Sequence, residues 1–66
     1  MYVQKELEAE LVRANVTRDQ LAAELGIDKS TLSKKINGKS DWKISEVNII
    51  AQHIGGDKIR DIFFAQ

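Results

Sequence analysis

The sequence predicts an all-α fold, a compact bundle of five short helices. Three observations point there. Apolar residues recur at the three- and four-residue spacing of a buried helical face. The stretch TRDQLAAELGIDKSTLSKKINGKSDWK, Thr17 to Lys43, holds two capped helices joined by a tight turn. The chain has only 66 residues, and a chain that small buries roughly 60% of its unfolded surface. That suits one helical core and one domain over residues 1–66.

Residues 2 to 14 read as the first helix, with Val3, Leu7, Leu11 and Ala14 on one face. Lys5, Glu6, Glu8, Glu10 and Arg13 fall elsewhere, so the glutamates are expected on a solvated face. Tyr2 is expected to cover the core edge. Asn15 tolerates the left-handed conformation that ends a helix, and Val16 can pack on Leu21 or Ala22 as a hydrophobic staple.

The second helix is Arg18 to Leu25. Thr17 can cap it, and Gln20, three residues on, can complete a capping box. Leu21, Ala22 and Leu25 make its apolar stripe. Gly26 stops it, because glycine enters the left-handed conformation without a Cβ clash. Asp28 caps the third helix, Leu32 and Ile36 form its buried side, and Asn37-Gly38 ends it. Ala22 is small where these two helices would cross.

Trp42, in the loop Lys39-Ser40-Asp41-Trp42-Lys43, is expected to cover the core rather than stack on a base. Ile44 and Ser45 open the fourth helix, with Ser45 as its cap. Val47, Ile50, Ala51 and Ile54 give the core stripe, and Ile49 falls outside it. His53, the only histidine, is expected as a surface imidazole, since a metal site needs partner ligands. Gly55-Gly56 ends the helix. Asp57 caps the last one, where Ile59, Ile62 and Phe63 point one way and Phe64 sits beside them. Ile49 and Phe64 are surplus apolar residues. They either stay partly exposed, which is common, or form a contact patch.

Ten basic and ten acidic residues give a formal charge of zero, so overall composition carries no nucleic-acid signal. The distribution does. Residues 1–16, 17–27 and 44–66 each carry net −1, whereas residues 28–43 carry net +3 through Lys29, Lys34, Lys35, Lys39 and Lys43. Arg18 lies in the first turn of its helix, where a cation opposes the dipole but a phosphate would find a ready anion site. The absence of cysteine excludes disulfides and cysteine metal sites. No apolar run approaches the roughly 20 residues of a membrane span, and no signal peptide is visible. The expected location is the cytoplasm. No arrangement for catalysis is visible, so neither an enzyme nor a cofactor is expected.

The run Leu21-Ala22, Gly26-Ile27, Ser30-Thr31-Leu32-Ser33 and Ile36-Asn37-Gly38 resembles the phage Cro/repressor class of helix-turn-helix proteins, the lambda-repressor-like or XRE class. Cap, small crossing residue, turn glycine, apolar positions and terminal Asn-Gly agree at once. The likeness covers nearly the whole chain. Departures are Arg18, where many relatives carry Gln; Lys35, at an often apolar position; and Asp28, where Ser or Thr is common.

The resemblance implies a compact five-helix lambda-repressor-like domain that binds a double-stranded DNA operator, as a small phage or prophage transcriptional regulator. Its recognition helix would be Lys29 to Asn37. Lys29, Ser30, Ser33 and Lys34 match the family's base-reading positions. Thr17, Arg18, Gln20, Asn37, Lys39, Ser40 and Lys43 are the phosphate candidates, which fix position without reading sequence. Relatives usually bind paired half-sites as dimers. With no dimerisation segment expected beyond residue 66, a weak homodimer promoted by DNA would use Ile49, Phe64 and the last helix. The alternative is a protein-interaction module of the same fold that modulates a partner repressor, with weak or no DNA contact.

Overall fold

The computed structural model describes residues 2–64. Five helices follow one another: α1 (Gln4–Arg13), α2 (Arg18–Leu25), α3 (Lys29–Ile36), α4 (Ile44–Ile54) and α5 (Gly56–Phe63). No strand occurs among the described residues, and the fold is all-α as the periodicity predicts.

Each helix is too short to be stable alone in water, so stability comes from the shared core. Leu7, Leu21, Leu32, Ile36, Ile50 and Ile62 are its fully buried side chains, drawn from all five helices. Leu11, Val16, Ala22, Val47, Ile59 and Phe63 complete it. The packing is interlocked. α5 lies on α4 and α1, α2 lies on α3 and α4, and α1 also touches α3 and α4.

The residues leading into α1 close on the end of α5. The backbone N–H of Val3 donates to the Ile62 carbonyl at 2.7 Å. Tyr2 stacks on Phe63 with ring centroids 5.4 Å apart, and Trp42 meets Phe63 edge-on at 5.6 Å. Tyr2 and Trp42 are therefore core covers, as expected. The buried Trp42 indole N–H has no hydrogen-bond partner of good geometry among the described residues. Burial pushes the Tyr2 phenol up to about 12, and the nearby Glu8 carboxylate adds to the rise.

Several local expectations are corrected. Ser45 is not the cap of α4; the helix already begins at Ile44, and the Glu46 carboxylate accepts the backbone N–H of Lys43 instead. Asp57 does not cap α5, which begins at Gly56 with no side-chain cap. The reversal is made at Gly55 alone, whose φ of 95° is the conformation glycine tolerates best. Glu10 is buried, not solvated. α5 folds across it, and its carboxylate meets Arg13 and, at 3.7 Å, Lys58. His53 keeps part of its ring at the surface, where it also pairs with Glu24 at 2.7 Å and joins α4 to α2.

Candidate nucleic-acid interface

The unit of α2, turn and α3 is built by local chemistry. Thr17 Oγ1 accepts the backbone N–H of Gln20 at 3.1 Å. Only that half of the predicted capping box forms, since Gln20 makes no return bond among the described residues. Gly26 takes φ 72°, and the N–H of Ile27 reaches back to the Ala22 carbonyl at 3.1 Å, so the chain leaves α2 in a tight left-handed turn. Asp28 then accepts the N–H of Thr31 at 2.8 Å and starts α3. The Thr31 hydroxyl and N–H hold the Asp28 carboxyl below the usual carboxylate range. Buried Leu21 and Ala22 of α2, with Leu32 and Ile36 of α3, fix how the two helices cross.

With Leu32 and Ile36 inward, α3 turns the opposite side out. Ser30 and Lys34 are exposed there, Lys29 is exposed at the first position of the helix, and Ser33 is half-buried. Thr17, Arg18 and Gln20 are exposed at the start of α2, and Asn37, Lys39, Ser40 and Lys43 are exposed at and beyond the end of α3. Fixed partners engage some of these residues. Asn37 Oδ1 accepts from Gln4 Nε2 at 3.1 Å, and the Thr17 oxygen is the α2 cap. Lys29 pairs with Asp19 at 2.9 Å, and Arg18 with Glu8 at 3.3 Å. Such exposed pairs are worth about 0–1 kcal/mol, so an incoming phosphate can displace them.

Lys35 is the exception among the lysines. Its ammonium is buried, 3.0 Å from Glu46 Oε1, and donates to the Asp41 carbonyl at 2.8 Å. Burial pushes the Glu46 carboxyl up, but the Lys43 backbone N–H and the Lys35 ammonium outweigh this and leave it below the usual range. Counting all five lysines of residues 28–43 as one positive surface therefore overstated it by one. The signal in the sequence was the departure itself, a lysine where relatives are often apolar.

Of the two surplus apolar residues, Phe64 is 55% exposed and Ile49 is half-buried. The sequence did not single out Ile44, yet it is 69% exposed. Ile44 and Phe64 flank one cavity of about 260 Å³, which Tyr2, Trp42, Val47 and Phe63 also line. No helix among the described residues is long and apolar enough to cross a membrane.

The model of a helix-turn-helix family matches residues 7–57, most of the chain, and spans this whole unit. No curated protein and no solved structure matches the chain.

Proposed function

The chain belongs to the helix-turn-helix family, and from that membership we propose that it is a sequence-specific double-stranded DNA-binding transcriptional regulator of the phage or prophage Cro or repressor kind. In this reading α3, with Asn37, enters the major groove. Lys29, Ser30, Ser33 and Lys34 meet base edges, with lysine able to donate to guanine O6 and N7. Thr17, Arg18, Gln20, Asn37, Lys39, Ser40 and Lys43 hold phosphates on either side. The observation that carries it is the outward face of α3, where Ser30 and Lys34 are exposed opposite buried Leu32 and Ile36, with Lys29 exposed at the start of the helix.

Selection of bound sites from random duplex, followed by gel shift at low and moderate salt, tests the reading. A consensus bound more tightly than random duplex is expected. No retardation of any duplex at low salt would overturn it. Binding of a two-fold operator by a weak, DNA-promoted homodimer belongs to the same proposal, with Phe64 the better-exposed candidate contact and Ile49 the lesser. A second reading, docking onto a partner repressor, draws on the exposed apolar pair Ile44 and Phe64 and the zero net charge. The same gel shift separates the two.

A further inference from the structure

Lys35 is the one lysine of α3 that the proposed interface leaves unused. Its side chain is 8% exposed and that of Glu46 is 6% exposed. Taking two charges out of water is costly, and apolar replacements of such a pair are often neutral or stabilising. Stability is therefore a poor explanation for the pair, and its geometry offers a better one. The Lys35 ammonium donates to the Asp41 carbonyl at 2.8 Å and pairs with Glu46 Oε1 at 3.0 Å. That same Glu46 oxygen accepts the backbone N–H of Lys43 at 2.8 Å. One ammonium and one carboxylate thus tie both ends of the segment 41–43 to α3. Between the ties, the Trp42 ring centroid lies 6.0 Å from the ammonium.

We propose that Lys35 and Glu46 are positioning residues for DNA binding: their buried pair sets the segment 41–43 against α3, so that Lys43 meets phosphate while α3 is seated in the groove. Lys35 itself touches no DNA. The inference rests on the DNA-binding reading above and adds to it a part of the interface that lies inside the protein.

The test is Lys35→Met with Glu46→Leu, which removes both charges together and avoids orphaning either one. The variant should still fold, because no buried charge is left unpaired, with a melt lowered by the lost Glu46 contact at the start of α4. It should bind the selected operator and random duplex about tenfold more weakly, the order for losing a hydrogen bond to a charged group. Its plot of log affinity against log salt should flatten by about one phosphate contact. Introduced into Lys43→Ala, the same double change should cost little more, because both act through one contact. Glu46→Gln, which keeps the shape and one oxygen acceptor, is the second variant. It should fold, keep its base preference and lose part of the affinity. Unchanged affinity in either folded variant, or full additivity with Lys43→Ala, overturns the proposal. If wild-type protein binds duplex and the variants match it, the clamp alone fails. If wild-type protein binds no duplex, the DNA reading fails and the clamp with it.

Discussion

The Tyr2 hydroxyl donates to the carbonyl oxygen of Ile36 at 2.8 Å, so the start of the chain satisfies an orphan carbonyl in the last turn of α3. Tyr2→Phe should therefore cost about 0.5–1.5 kcal/mol in urea unfolding, the usual net value of one such bond. The pH dependence has a definite sign. The folded-state phenol is raised from 10.0 to about 12, so the folded protein holds the proton more tightly than the unfolded chain. Its contribution is full below pH 10 and is lost as pH rises toward 12. Tyr2 is the only tyrosine, so phenolate absorbance reports it alone. A midpoint near 10 in the folded protein contradicts the burial argument.

Leu32→Ala removes a fully buried side chain where α3 meets the core. A loss of about 2–5 kcal/mol is expected, enough to unfold much of a domain this small at room temperature. Thermal melting followed by circular dichroism checks it. A melt within a degree or two of wild type would mean that α3 does not lean on this residue.

Lys29→Ala and Lys34→Ala should each relax preference at particular base pairs, by about 1–3 kcal/mol where the contact is good. Changes at Asn37 and Lys39 should weaken all sequences alike. Affinity measured on the operator and on its single-base variants separates the two patterns. A uniform loss for the two α3 lysines would move them to the phosphate group.

Assembly is the fourth expectation. One recognition helix spans few base pairs, and half-sites of paired helices lie about 34–36 Å apart along the duplex. The exposed apolar surface near Phe64 is small, so free protein should be mostly monomeric at micromolar concentration and bind a two-fold operator cooperatively. Phe64→Asp should abolish the cooperativity and leave the monomer folded. Sedimentation, then titration of whole and half operators, decides it; equal affinity for half and whole sites rules the dimer out.

The fold was legible because the apolar periodicity and the capping chemistry agree locally. Thr17, Gly26 and Asp28 each perform the role their residue type suggests, and the left-handed Asn15, at φ 63°, does so too. The failures lie where tertiary packing overrides local preference. Ser45 had the chemistry of a cap, but Glu46 reaches back and starts α4 two residues earlier. Glu10 looked solvated because nothing near it in sequence reveals that α5 will cover it. Lys35 was counted with the surface lysines because its partner, Glu46, comes from another helix. The outward face of α3 was readable from Leu32 and Ile36 alone. The buried support behind the following loop required the third dimension.

The two surface pairs, Lys29 with Asp19 and Arg18 with Glu8, have a further consequence. In the proposed complex each carboxylate is a tethered rival of the nucleic acid, always present at high local concentration. A stray anion meeting one of these cations must outcompete a neighbour that never diffuses away. A duplex presenting a base edge to Lys29 and a phosphate to Arg18 at once, with the groove seated on α3, can displace the two rivals together. Self-pairing would thus act as a filter against casual polyanions.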